Sequence, residues 1–145
     1  MKPVVTWVVV ANGRDAKVLE NRGPGKGLDL LARKGWQAES VRIPDDKPGV
    51  GHSIAGPGVS AVEQTDTRLQ TETKFAKHVL QELSNALRAK EFDRLIIACG
   101  PHMLGLFRAH LEDDLRSVVI GEIAKDFSAQ PIHVLEARLG DFIAV

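Results

Sequence analysis

The chain has 145 residues, of which 43% are hydrophobic, and its 19 lysine and arginine residues balance its 19 aspartate and glutamate residues. This length and composition predict a single domain, residues 1–145, that buries a core without disulfides or metal ions. The balanced charge excludes a global field that attracts nucleic acid or an anionic membrane, so such binding requires a local patch.

Three strands are predicted in the N-terminal part of the chain. Val4 to Val10 is a continuous β-branched run, typical of a central strand that is covered on both faces. Asn12-Gly13 supplies residues that accept positive φ and precedes the alternating segment Ala16 to Glu20, so the two runs predict a hairpin. After a glycine-rich loop, we expect a short helical turn at Leu28 to Lys34 and an irregular third strand at Trp36 to Ile43.

Periodicity is lost from Pro44 to Asp66, which we interpret as a flexible Gly- and Pro-rich loop, a kind of segment that is usually functional or disordered. Asp66 or Thr67 is expected to cap a long amphipathic helix that continues to Leu87. The remaining predicted elements are a strand at Arg94 to Cys99, a helix from Pro101 to about Leu111, a strand at Ser117 to Ile123, and a last helix capped by Ser128 that carries Ile132, Leu135, Leu139 and Phe142. This order predicts an α/β domain in which three main helices pack on a mixed five-stranded sheet.

The most informative segment is the junction between the fourth strand and its helix. A buried strand that turns sharply at Gly100-Pro101 places backbone N–H groups and the His102 side chain at the edge of a sheet, where α/β folds bind ligands. Cys99 and His102, with the loop residue His52, are also candidates for a small hydrolase. The apolar run before Cys99 favours a packed, inert thiol instead.

Other patterns give weaker signals. The loop from Gly23 to Gly27 lacks the spacing of a phosphate-binding loop, and the histidines show no metal-ligand spacing, so we expect no metal and no cofactor. A candidate basic strip for contact with phosphates consists of Arg68, Lys74, Lys77, Arg88 and Lys90. Contact with RNA requires Arg68, Lys74, Lys77 and Arg14 to share one face with the loop. Interleaved acidic residues, among them Glu72, favour a solvated helix face. The single cysteine is typical of a reducing compartment, and no apolar stretch approaches the roughly 18 residues that span a bilayer, so we expect a cytoplasmic protein without membrane insertion.

Six blocks of sequence, spread over nearly the whole chain, resemble the family of bacterial proteins described as required for attachment to host cells. The blocks are Trp7 to Gly13, Gly51-His52-Ser53, Phe75 to Val79, Glu91 to Leu95, Pro101 to Gly105 and Gly121 to Asp126. The resemblance implies a role in adhesion. Because nothing in the chain resembles a secretion signal, we expect that role to be indirect.

The order of elements is also similar to that of the middle domain of archaeal and eukaryotic class 1 release factors. That domain carries a Gly-Gly-Gln loop, which this chain lacks, so the resemblance implies the fold without the peptide-release activity. We therefore expect a non-catalytic binding protein of undetermined oligomeric state, whose macromolecular partner is ribosomal or other structured RNA. The candidate binding residues are Asn12, Gly13, Arg14, Gly51, His52, Ser53, Lys74, Lys77, Gly100, Pro101 and His102.

Overall fold

The computed structural model describes residues 3–38 and 57–145, and in the second range it describes side chains from residue 66 onward. The elements in chain order are β1 (Thr6–Ala11), β2 (Asp15–Asn21), β3 (Asp29–Gln37), α1 (Pro57–Arg88), β4 (Arg94–Cys99), α2 (Pro101–His110), α3 (Asp113–Arg116), β5 (Val119–Ile123) and α4 (Ile132–Leu139). No helix in the described ranges is both long and apolar enough to cross a membrane.

The five strands form one mixed sheet, as the sequence predicts, and their order in the sheet is β3-β2-β1-β4-β5. β1 is antiparallel to β2 and parallel to β4, and β4 is parallel to β5. In this register Ala11 pairs with Cys99, and Ala98 pairs with Ile123. The carboxyl ends of β1, β4 and β5 therefore lie side by side, and we call the surface formed by the residues that follow them the carboxyl edge.

Both faces of the central strand are covered. Trp7 and Val9 belong to a core with α1 and α2, whereas Val8 and Val10 belong to a second core with α4. Because side chains alternate along a strand, this two-sided burial explains why the first strand is a continuous apolar run.

The third strand begins earlier than the sequence predicts. The predicted helical turn at Leu28 to Lys34 is wrong, because β3 already begins at Asp29. Leu30 pairs with Leu19 of β2, and Gly35 pairs with Lys17, so β3 carries extra residues between the two pairings. Pairing with β2 overrides the weak local preference for a turn.

Two predicted helix starts are also wrong. α1 begins at Pro57 rather than at Asp66 or Thr67, so the second part of the predicted loop is helical, with proline in the first turn, where it is tolerated. The rest of that loop, residues 44–56, lies outside the described residues. Pro131, not Ser128, immediately precedes α4, because Ser128 makes its hydrogen bonds at the carboxyl edge.

Candidate binding site at the carboxyl edge

The turn after β1 is organised by the side chain of Asn12. Its Oδ1 atom accepts hydrogen bonds from the backbone N–H groups of Arg14 at 2.8 Å and Asp15 at 2.7 Å. Its Nδ2 group donates to Ser128 Oγ at 3.1 Å, and the Ser128 hydroxyl in turn donates to Asp126. This chain of hydrogen bonds joins the segments that follow β1 and β5.

The turn after β4 is open. Gly100 has extended backbone and precedes α2, and a Cβ atom added to it meets no atom within 4 Å. Pro101 and His102, in the first turn of α2, are exposed. The structure therefore places Asn12, Gly13, Gly100 and His102 on one surface, as expected from the end of a parallel sheet.

Glu72 of α1 also belongs to this surface, although the sequence predicts that it lies on the solvated face of the helix. Its Oε1 atom lies 3.2 Å from His102 Nε2, and its side chain is only 16% exposed. Its Oε2 atom lies against Gly13, which does not use positive φ and instead leaves space for this carboxylate. Glu72 is four residues before the buried Ala76, a spacing that places both on one side of the helix and that could have identified it.

The carboxylates of the edge are mostly engaged within the protein. Glu122 on β5 accepts two hydrogen bonds from Arg108, and Asp126 accepts from the backbone N–H of Ser128. Asp15 is exposed and is the exception. By contrast, the exposed cations Arg14, Arg68 and Lys125 form no ion pair within the described ranges. The edge therefore presents these three exposed cations beside the exposed carboxylates of Asp15 and Asp126.

The predicted basic strip divides between two surfaces. Arg68 lies one turn before Glu72, within roughly 40° of it around the helix axis, so it projects on the side of the carboxyl edge. Lys74 and Lys77 lie roughly 160° and 140° away from Glu72 around the same axis. Lys77 instead lines a groove of about 250 Å³ that also contains His110, at the far end of α2. Arg14, Arg68, Lys74 and Lys77 thus do not share one face.

Cys99 is fully buried, as the packed-thiol interpretation predicts. Burial, reinforced by the charges of Glu122 and Asp126, raises the pKa of its thiol to about 12. A thiol with this pKa is protonated at neutral pH and is a poor nucleophile, which removes Cys99 from the hydrolase hypothesis. Gly51, His52 and Ser53 lie outside the described residues.

The glycine-rich loop from Gly23 to Gly27 is held by structural contacts. Gly23, Gly25 and Gly27 all have positive φ, and the Asn21 side chain bonds both Gly23 N–H and the Gly27 carbonyl. This loop therefore uses its glycines to turn the backbone. Within the described part of the chain, no three His, Cys, Asp or Glu side chains are grouped as metal ligands.

Comparison with solved structures finds a similar fold in two archaeal proteins. An archaeal translation termination factor, aRF1, superposes with a TM-score of 0.52 at 12% identity, over 92% of this chain and 37% of that one. A second structure, described as an archaeal protein, superposes with a TM-score of 0.51 at 15% identity, over 92% of this chain and 34% of that one. The chain thus spans little more than a third of each structure, and the expected release-factor-like fold is confirmed.

No curated protein matches the chain. A family model described as "Protein required for attachment to host cells" matches residues 7–139, which include all the described strands and helices except Thr6, the first residue of β1. The chain therefore belongs to the family of proteins required for attachment to host cells.

Proposed function

We propose that this protein supports attachment to host cells indirectly, as a non-catalytic binding protein that contacts ribosomes or structured RNA through its carboxyl edge. The observation that carries the proposal is the charge pattern of that edge. Glu72 contacts His102 and Glu122 pairs with Arg108, whereas the exposed cations Arg14, Arg68 and Lys125 form no ion pair within the described ranges and stand beside the carboxylates of Asp15 and Asp126. An anionic partner complements such a surface.

The fold favours RNA among anionic partners. The structural similarity to a translation termination factor extends over 92% of this chain, and that factor is a protein of translation. At 12% identity this similarity concerns the fold, so it supports the choice of partner class by analogy only. The carboxyl edge is also the place where open α/β sheets bind ligands.

The proposed contact assigns different roles to the basic candidates. Arg14 follows Gly13 in the β1–β2 turn, and Arg68 lies one turn before Glu72 on α1, so the proposal assigns both to one RNA backbone. Lys74 and Lys77 project away from this edge and are expected to contribute little. A positive charge can therefore be removed from α1 either beside the carboxyl edge, at Arg68, or away from it, at Lys74 or Lys77.

Co-sedimentation with purified ribosomes tests the proposal. At low salt the protein is expected in the ribosomal pellet, and raising the salt should release it steeply because phosphate contacts exchange for counterions. Nuclease treatment of a lysate should remove the ribosomal partners that an affinity-tagged protein captures. Failure to pellet at low salt, or capture that nuclease leaves unchanged, contradicts an RNA partner.

The attachment role is tested in cells of the source organism. A strain that lacks the gene is expected to attach poorly to host cells, and the wild-type protein should restore attachment. Labelling the surface of intact cells should leave the protein unmodified if the role is indirect. Strong surface labelling contradicts the indirect role and favours a direct adhesin.

A further inference from the structure

We infer that the carboxylate of Glu72 is an internal competitor for the anionic partner, so that binding at the carboxyl edge requires its displacement. The inference rests on the proposed function, because it concerns the same surface. Glu72 belongs to α1, whereas the groups that its carboxylate contacts belong to α2 and to the β1–β2 turn.

The Glu72 carboxylate occupies the space between α1, the first turn of α2 and the β1–β2 turn. Oε1 lies 3.2 Å from the imidazole of His102, and Oε2 lies against Gly13, which precedes Arg14 in the sequence. Arg68 precedes Glu72 by one turn on the same side of α1. A phosphate group that approaches His102, Arg14 and Arg68 together must therefore come close to this negative charge or move it aside.

Packing of the core does not require a carboxylate at position 72. The helix is already anchored from Phe75 onward, where Phe75, Ala76 and Val79 are at most 3% exposed. An ion pair with His102, whose side chain is 59% exposed, contributes little to stability. The residues before Glu72, from 66 to 70, are all exposed, so the carboxylate marks the point where the helix leaves the core.

Two variants test the inference by different routes. Glu72→Gln removes the charge but keeps the size of the side chain. Gly13→Ala keeps the charge but places a Cβ atom within contact distance of Glu72 Oε2, so the flexible carboxylate must move, while the φ of Gly13 suits alanine. Glu82→Gln, farther along α1, is the control with the same charge change.

The affinity of each protein for ribosomes is measured by co-sedimentation at fixed salt, and thermal melting confirms that each variant folds. We expect Glu72→Gln and Gly13→Ala to bind about three- to tenfold more tightly than the wild type, and Glu82→Gln to bind like the wild type.

The failures of the two proposals are distinguishable. If the wild type binds and neither variant binds more tightly, the inference about Glu72 is overturned while the proposed function stands. If the wild type and both variants fail to bind at low salt, both proposals are overturned. If Glu82→Gln increases the affinity for ribosomes by as much as Glu72→Gln does, the inference is overturned, because a general loss of negative charge then explains the effect.

Discussion

Asn12, at the end of β1, donates its side-chain amide to Ser128, beyond β5, across 3.1 Å and 116 positions of sequence. Since β4 lies between β1 and β5 in the sheet, this hydrogen bond reaches across the open turn at Gly100. The shape of the carboxyl edge therefore depends on a contact between two loops as well as on the sheet.

Removal of the Ser128 hydroxyl is expected to loosen the carboxyl edge without unfolding the protein. Ser128→Ala deletes the bonds to Asn12 and Asp126 at a cost of about 1 kcal/mol. Amide exchange at Arg14 and Asp15 should accelerate about fivefold, which is the same free energy expressed as a rate. The measurement is hydrogen exchange followed by mass spectrometry or NMR.

Ser117→Ala is the matched control, because the Ser117 hydroxyl bonds the Asp114 carbonyl near α3, away from the edge. Its exchange at Arg14 and Asp15 should equal that of the wild type. Equal exchange in Ser128→Ala and the wild type contradicts the role assigned to the Asn12 contact.

The buried thiol predicts a specific dependence of stability on pH. The folded state raises the pKa of Cys99 from its ordinary value of 9.0 to about 12, so between these values the unfolded chain has lost a proton that the folded chain keeps. The free energy of unfolding should therefore fall as pH rises through this window, by at most about 1.4 kcal/mol per pH unit from this group. Urea unfolding of the wild type and Cys99→Ala at several pH values isolates this contribution.

The same burial predicts that Cys99 is unreactive toward thiol reagents at neutral pH until the protein unfolds. A native thiol that reacts as fast as the unfolded one, or a Cys99→Ala variant with the pH dependence of the wild type, contradicts this account.

A side chain at Gly121 on β5 is expected to displace the partly exposed ring of Phe142. A Cβ atom there lies about 2.5 Å from ring atoms of Phe142, so Gly121→Ala must displace the ring, at a cost of about 1–3 kcal/mol. Gly105→Ala in α2 is the control, because its Cβ meets nothing within 4 Å and alanine stabilises a helix by about 0.5–1 kcal/mol. Urea unfolding should give opposite signs for the two variants, and equal stabilities contradict the close approach of Phe142.

Elements that are specified locally could be predicted from the sequence. β4 spans Arg94–Cys99 in both the prediction and the structure, because a short apolar run is typical of a strand that is covered on both faces. β3 could not be predicted with the correct bounds, because its pairing with β2 includes extra residues that no local pattern encodes.

Part of the candidate site could also be predicted from the sequence. Gly100 and His102 follow directly from a strand that ends in a sharp turn. Glu72 carries a detectable signal, because it continues the helical spacing of the buried Ala76 and Val79. The partnership of Asn12 with Ser128 has no local signal, because it depends on two loops that only the folded sheet brings together.

The most direct test of the central claim compares two double variants of equal charge change in ribosome co-sedimentation. Arg14→Ala with Arg68→Ala removes charge from the carboxyl edge, whereas Lys74→Ala with Lys77→Ala removes it from elsewhere on α1. The account predicts that the arginine variant binds about tenfold or more weakly and with a shallower dependence on salt, while the lysine variant binds nearly like the wild type. Equal losses in the two variants, or a larger loss in the lysine variant, would contradict the carboxyl edge as the binding surface.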